Sequence, residues 1–333
     1  MLTKIAKQLV TQGKGILAAD ESTGSIKKKF EEVGVEDTAE NHRKWRQLLF
    51  TAPEIERYIS GVIMFDETFW QETDEGVPFP EYLSRRGIMP GIKVDEGRVP
   101  FPGSPKEKLT KGIETLPERI KRYANKGAKF AKWRGLFIID EKENLPSDAA
   151  IAENSKLLAR YAKICQNAGV VPIVEPEVYM NGPHSLFASR EATSRALRAT
   201  FMELEKIEID YTGMLLKPNM VHQGTMSRET HSPEEIAKAT LEVLEENVPR
   251  EVPGIVFLSG GQAPREAEDN LRAINREGGA PWELAFSYGR ALQDEAFAIW
   301  AGDMGKFVEV QKAFLEAAHR DSHAREGERH EEN

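Results

Sequence analysis

Apolar residues in this chain fall in short runs with little alternation, each closing on a charged residue or a glycine. They occupy 15–20, 61–66, 91–95, 130–134, 170–175, 213–217, 254–261 and 284–290. A strand with one wet face alternates apolar and polar positions. Runs without that alternation read as strands buried on both faces, as in a parallel sheet. The stretches between them carry helical period and capping signals. Ser147-Asp148 opens a segment containing Leu157, Leu158, Tyr161 and Ile164, which Gly169 closes. Ser232-Pro233-Glu234-Glu235 is an N-cap with proline at the first helical position, leading into Ile236, Ala239, Leu241 and Leu244. Strand and helix alternating eight times predict an α/β chain of the (β/α)8 TIM-barrel type. A doubly wound sheet is the structural rival, but eight buried strands without an edge-like one favour closure.

Residues 1–10 predict a short amphipathic N-terminal helix, with no long apolar stretch and no small-residue cleavage site, which reads against a signal peptide. From Glu316 onward the chain has no aromatic residue and no apolar residue larger than alanine. This divides it into a single barrel domain, 1–315, and a polar tail, 316–333. The start of the tail is expected to extend the last helix and its end to be solvated and disordered.

The ends of the runs change the picture from fold to chemistry. Nearly every run carries an ionisable residue at its C-terminal end: Asp20, Asp66, Lys93 and Asp95, Lys132 and Arg134, Glu175 and Glu177, Lys217, Arg290. A barrel interior is ordinarily branched and apolar, and the C-terminal ends of its strands are where active sites sit. Side chains alternate along a strand, so Phe130, Lys132 and Arg134 share a face, as do Ile173, Glu175 and Glu177, and Leu215, Lys217 and Asn219. With those faces inward, Lys93, Lys132 and Lys217 meet a glutamate pair at one mouth. Buried ion pairs or snorkelling side chains explain one such charge, but not all of them together.

Lys217 is the most telling. It closes an apolar run, and Pro218 ends the strand's pairing after it. A lysine amine is a nucleophile only when deprotonated, which burial and a neighbouring cation such as Lys132 both favour. That chemistry suits Schiff-base formation with a ketone or aldehyde. Loss of water from the carbinolamine then needs an acid, and Glu175 can act as acid and base. Asp20 is a second candidate base. Leu258-Ser259-Gly260-Gly261 and Ser287-Tyr288-Gly289-Arg290 fall after the seventh and eighth runs, where backbone N–H groups and an arginine fork suit a phosphate.

Composition narrows the partners. The chain has 333 residues, 40% of them hydrophobic and 30% charged, with 45 Lys+Arg against 54 Asp+Glu, a net charge of −9. Such a chain has no global reason to bind nucleic acid or an anionic membrane, so an anionic ligand must meet a local cationic cluster. No apolar run approaches the ~18 residues of a membrane span. One cysteine, Cys165, forbids an internal disulfide and fits a reducing, cytoplasmic setting. There is no Walker loop, since Gly13-Lys14 is followed by glycine, and no zinc-protease or EF-hand spacing. His319 and His323 are four apart but read as solvated rather than ligating. The expectation is a site with no metal and no cofactor.

In order along the chain, Gly-Ile-Leu-Ala-Ala-Asp-Glu-Ser-Thr-Gly-Ser (15–25), Phe-Ala-Lys-Trp-Arg (130–134), Val-Pro-Ile-Val-Glu-Pro-Glu (171–177), Leu-Leu-Lys-Pro-Asn-Met (215–220), Phe-Leu-Ser-Gly-Gly-Gln (257–262) and Phe-Ser-Tyr-Gly-Arg-Ala (286–291) resemble class I fructose-bisphosphate aldolases. The similarity runs from about residue 4 to about 315. It implies that Lys217 forms the Schiff base with dihydroxyacetone phosphate and that Glu175 is the acid/base of carbinolamine dehydration. It further implies that Asp20 acts around C–C cleavage and that Lys132 supports charge and orients the substrate. Ser259, Gly260, Gly261, Ser287, Gly289 and Arg290 match the C1-phosphate site; Lys93, Ser22 and Ser25 match positions near the other phosphate. Arg134 and Glu177 complete the substrate-binding set. Two arginines of the animal enzymes appear here as Lys29 and His42, and lysine keeps the charge while losing the fork. The C-terminal tyrosine of those relatives is missing, the last tyrosine being Tyr288. The resemblance also implies a homo-oligomer, a tetramer.

The expected activity is metal-independent, reversible cleavage of fructose 1,6-bisphosphate, a phosphosugar, into dihydroxyacetone phosphate and glyceraldehyde 3-phosphate. A Schiff-base aldolase for another ketose phosphate is the near rival. A glycosidase using Glu175 and Glu177 is disfavoured by their closeness on one strand, and a non-catalytic phosphosugar-binding protein by the intact lysine–glutamate–aspartate set.

Overall fold

A computed structural model describes residues 1–328. Eight strands close a barrel: β1 (Gly15–Ala19), β2 (Ile59–Met64), β3 (Met89–Lys93), β4 (Phe130–Ile138), β5 (Val171–Tyr179), β6 (Leu215–Leu216), β7 (Gly254–Phe257) and β8 (Glu283–Tyr288). All pairings are parallel, and β8 returns to β1 with Ile16 opposite Ser287. Every run foreseen as a strand is one of these, and helices lie between them, so the chain is a (β/α)8 barrel. The capping signals act as expected: Ser147 Oγ accepts from the Ala150 amide at 3.2 Å, and Ser232 and Glu235 form a reciprocal capping box.

The barrel interior is apolar below and ionised above. Ile16, Ile63, Phe130, Val171, Ile173, Leu215, Val256 and Ala285 fill its lower part, joined by Ala6, Leu9 and Val10. The last three belong to the N-terminal helix (Leu2–Leu9) and its C-cap, which close the floor. Close approach is built in: a Cβ on Gly254 would sit 2.6 Å from Val10, and one on Gly91 would sit 2.2 Å from the Phe130 ring. The long β4–β5 pairing sets Arg134 opposite Glu175, while β3 sets Lys93 opposite Lys132. Charged side chains thereby rise to one level at the C-terminal end.

Three features depart from expectation. A two-stranded hairpin, Arg98–Phe101 with Ser104–Thr110, is inserted after β3. Leu215 and Lys217 face inward, but Asn219 does not: it accepts from the Val178 amide at 2.9 Å and donates to Thr193 at 3.2 Å. Pro218 breaks the alternation on which its placement rested.

The third departure corrects the domain boundary at 315. Helix Phe307–Arg325 runs unbroken through it, with Ala317, Ala318, Asp321, Ala324 and Arg325 buried. Small residues on one helix face allow close packing, so the absence of large apolar side chains did not mean exposure. Arg325 donates to the carbonyls of Val10, Thr11 and Lys14 and pairs with Glu283 at 3.0 Å. His319 and His323 sit on this helix with their Nε2 atoms 2.9 Å apart, so they are not solvated tail residues. The disorder expected for 329–333 lies outside the described residues. Among the described residues no helix is long and apolar enough to cross a membrane.

Candidate active site

A cavity of about 890 Å³ opens at the C-terminal end of the barrel. Strand parity brings Lys132 and Arg134 of β4 and Glu175 and Glu177 of β5 into it, beside Lys93 of β3 and Asp20 just past β1. Lys217 enters because its amide still donates to the Val174 carbonyl at 2.8 Å, one residue beyond β6. The backbone therefore holds strand geometry long enough to aim this side chain inward.

These groups form a connected chain of charge. Lys217 Nζ lies 3.3 Å from Glu175 Oε1, Glu175 Oε2 lies 2.9 Å from Lys132 Nζ, and Lys132 Nζ lies 2.9 Å from Asp20 Oδ2. The Lys217, Glu175 and Lys132 side chains are each only 5% exposed. Burial alone would raise both carboxyls, but the lysines outweigh it. Lys132, Lys217 and Arg134 hold Glu175 below the usual glutamate range, and Lys132, Lys217 and Lys93 hold Asp20 well below its own. Burial likewise opposes the Lys132 ammonium, yet Asp20, Glu175 and Asp95 keep it charged. Lys132 is thus the neighbouring cation foreseen for Lys217, but its charge is already met by two carboxylates. Above them, Arg134 is paired with Glu177, and Lys93 with Asp95 at 2.6 Å.

Anion chemistry occupies the rim after β7 and β8. Residues 259–262 form a turn closed by the Gln262 amide on the Ser259 carbonyl at 3.2 Å. Gly261 has φ +84, and a Cβ there would strike Met180 at 2.5 Å, so this position requires glycine. Ser287 Oγ is buried, faces the cavity and has no hydrogen-bond partner among the described residues. Gly289 is the N-cap of helix Arg290–Trp300, which turns its unpaired amides toward the same rim. Arg290 lines the cavity and makes no ion pair among the described residues.

On the opposite rim, Ser22 and Ser25 stand 3.1 Å apart at the start of helix Thr23–Glu32. Lys29 lines the cavity but is held by Asp294 at 3.0 Å and Glu21 at 3.5 Å, the latter also gripping buried Arg46 at 2.8 Å. His42 lies elsewhere, buried between Asp37 at 2.9 Å and Glu67 at 2.8 Å; it does not line the cavity. Three cations were missed. One is Arg119, which lines the cavity 3.7 Å from Glu96. Lys28 faces the cavity with no ion pair among the described residues, and so does Arg98 of the hairpin. Lys28 sits three residues after Ser25, one turn along the same helix face, and that spacing was signal enough. Arg98 had none, because nothing in its exposed hairpin marks where it folds.

The arrangement offers a buried amine, a carboxylate able to exchange a proton with it, a fixed neighbouring cation, and anion-binding rims on two sides. Among the described residues, His323, Glu326 and Glu328 bring possible metal-ligand atoms within 4.8 Å of one another. They lie at the end of helix Phe307–Arg325 and are not part of this cavity.

A family model described as fructose-bisphosphate aldolase class-I matches residues 1–333. A probable class 1 fructose-bisphosphate aldolase of Xanthomonas axonopodis pv. citri is 46% identical over 318 residues, covering 95% of each chain. Fructose-bisphosphate aldolase C of Mus musculus is 47% identical over 98% of this chain and 90% of its own. Fructose-bisphosphate aldolase 4, cytosolic, of Arabidopsis thaliana is 47% identical over 96% of this chain and 81% of its own. Among solved structures, the aldolase of Plasmodium falciparum, in complex with TRAP and a small-molecule inhibitor, superposes with TM-score 0.97 and 42% identity. That match covers 99% of this chain and 95% of the other.

Proposed function

Because the chain belongs to the class I fructose-bisphosphate aldolase family, we propose that its ionised barrel mouth runs that family's reaction with Lys217 as the nucleophile. The enzyme is a lyase that reversibly cleaves fructose 1,6-bisphosphate to dihydroxyacetone phosphate and glyceraldehyde 3-phosphate through a lysine Schiff base. One observation carries the residue assignment: Lys217 is buried with Glu175 3.3 Å from its Nζ, and Lys132 holds that carboxylate from the other side at 2.9 Å.

The steps follow from that geometry. Glu175 takes a proton from the Lys217 ammonium, leaving an amine that attacks the C2 carbonyl. Protonated Glu175 then delivers the proton to the carbinolamine hydroxyl, which departs as water and leaves the iminium. The iminium draws the electrons of the C3–C4 bond as it breaks, and the C4 hydroxyl proton passes to the Glu175 carboxylate left by dehydration. Transfer of that proton to C3 of the enamine lets water hydrolyse the Schiff base to dihydroxyacetone phosphate and free Lys217. Asp20, held well below the aspartate range, stays ionised, so it accepts a hydrogen bond from the substrate and keeps Lys132 in place. Lys132 supplies fixed positive charge to the carbinolamine oxygen.

Ser259, Gly260, Gly261, Ser287, Gly289 and Arg290 take the C1-phosphate. Ser22, Ser25, Lys29 and Lys93 serve the C6-phosphate side, where Lys28 and Arg98 add charge. Arg134 and Glu177 frame the sugar between the two rims. The cytosolic reading is supported by the lone buried Cys165 and by the cytosolic plant relative. The homotetramer is carried by the resemblance alone, and light scattering decides it. Borohydride reduction with dihydroxyacetone phosphate tests the nucleophile. One adduct on the peptide carrying Lys217 is expected, with activity surviving EDTA, and labelling at a different lysine overturns the assignment.

A further inference from the structure

The phosphate turn contains a conformational problem that its own sequence does not solve. Gly260 and Gly261 are its central residues, and glycine adopts either sign of φ with little preference. A turn with Gly261 at φ +84 and one with Gly261 at negative φ differ by a flip of the 260–261 peptide plane. In a trans peptide the carbonyl and the following N–H point in opposite directions. One flip state therefore offers the Gly261 N–H to an anion, and the other offers the Gly260 carbonyl oxygen. Something outside the turn must choose between them.

His222 stands at that point. It is 2% exposed, does not line the cavity, and its Nε2 lies 3.2 Å from the Gly260 carbonyl oxygen. Its Nδ1 lies 2.8 Å from the Gln223 carbonyl. Burial pushes this imidazole down and keeps it neutral, so its single N–H serves either Gln223 or Gly260, and a bond to Gly260 requires the tautomer protonated on Nε2. The platform behind it is knitted by backbone: the amides of Gly224, Thr225 and Met226 donate to the carbonyls of His184, Met180 and Gly182, each at 2.9 Å. The groups facing the ring are the His184 imidazole, pushed down to about 4 by burial and so uncharged at neutral pH, and Glu266.

We propose that His222 is a positioning residue for phosphate recognition: its Nε2–H donates to the Gly260 carbonyl, holds that oxygen away from the mouth, and so turns the Gly261 N–H toward the bound phosphate. The assignment rests on reading residues 259–261 and Arg290 as the C1-phosphate site. It adds a residue on the outer side of the turn, which touches no substrate.

The test uses the full chain and inorganic phosphate as competitor. His222→Phe keeps a ring and loses the donor. We expect KM for fructose 1,6-bisphosphate and the phosphate inhibition constant to rise about tenfold, with kcat within about threefold, a change of about 1.4 kcal/mol in binding. His222→Gln keeps an N–H donor and returns both constants to within about threefold of the parent. Phosphate affinity unchanged in His222→Phe, or His222→Gln as weak as His222→Phe, overturns the assignment. Arg290→Ala separates the two readings. Lost affinity there with none lost in His222→Phe overturns only the role of His222; no loss in Arg290→Ala moves the phosphate elsewhere and overturns both. Should His222→Phe not fold, the parent enzyme labelled with 15N-glycine decides. The Gly261 amide proton moves downfield on adding phosphate, and a signal that stays put refutes the proposal.

Discussion

Glu175 stands opposite Arg134 in the β4–β5 register, yet its Oε2 makes its contact, at 2.9 Å, with Lys132 two residues lower on that strand. The carboxylate is thus drawn down into the barrel, where its other oxygen meets Lys217, while Arg134 is left to Glu177.

Removing that downward pull gives the first prediction. Lys132 is among the charges that hold Glu175 below the ordinary glutamate range against burial. Lys132→Met raises that carboxyl, so the acid limb of the kcat/KM profile moves to higher pH and the maximum falls by at least about a hundredfold, as for loss of a preorganised catalytic charge. An acid limb that stays in place or moves lower would show that Glu175 does not set it.

Arg290 provides the second. It makes no ion pair among the described residues, so its guanidinium is available to the substrate. A charge-assisted contact is worth ~1.5–3 kcal/mol. Arg290→Ala should weaken dihydroxyacetone phosphate binding by roughly one to two powers of ten, with circular dichroism unchanged. Calorimetric titration checks the affinity, and the far-UV spectrum checks the fold.

Acid stability supplies the third. Asp20 is held well below the aspartate range by Lys132, Lys217 and Lys93, against burial. A depressed carboxyl stabilises the fold above the unfolded-state value of ~3.9 and loses that contribution as pH falls through the native one. Asp20→Asn should therefore show a flatter decline of urea stability between about pH 5 and pH 3 than the parent. Equal slopes would remove Asp20 from the account of acid unfolding.

A fourth concerns Arg325. Its side chain is 2% exposed and bonds three carbonyls besides Glu283. Arg325→Ala strands those acceptors and should cost about 3 kcal/mol, read as a lower denaturant midpoint. A chain cut after Arg320 should suffer at least as much.

The barrel floor gives the fifth. A Cβ on Gly91 would lie 2.2 Å from the Phe130 ring, so Gly91→Ala should destabilise by ~2–3 kcal/mol. Phe130→Leu in the same chain should recover part of that loss. No recovery would place the strain in the backbone instead.

Much of this was legible in the residues, for identifiable reasons. Strands buried on both faces leave unbroken apolar runs, and the parity rule then carries Lys132, Glu175 and Lys217 inward as long as the ladder persists. It stops at Pro218, so Asn219 escaped it. Lys29 was chosen and Lys28 overlooked because adjacent helical residues differ by only about 100°, and both can share one rim. Arg98 was invisible because its hairpin is exposed and carries no burial pattern. The C-terminal helix was misjudged because alanines bury as completely as leucines when the partner surface comes close.

The grip of Arg325 on Val10, Thr11 and Lys14 sets a schedule for synthesis. The bond from Arg325 to Thr11 spans 314 residues of chain. At ~5–20 residues per second, about 15–60 s separate the emergence of the floor-closing segment from that of the side chain that fastens it. During that interval the carbonyls of Val10, Thr11 and Lys14 lack the guanidinium that joins them, Thr11 keeping only its local bond from the Lys14 amide, and the growing barrel rests on an unlatched plug. Completion of this fold is therefore a late event, decided almost at the last turn of the last helix.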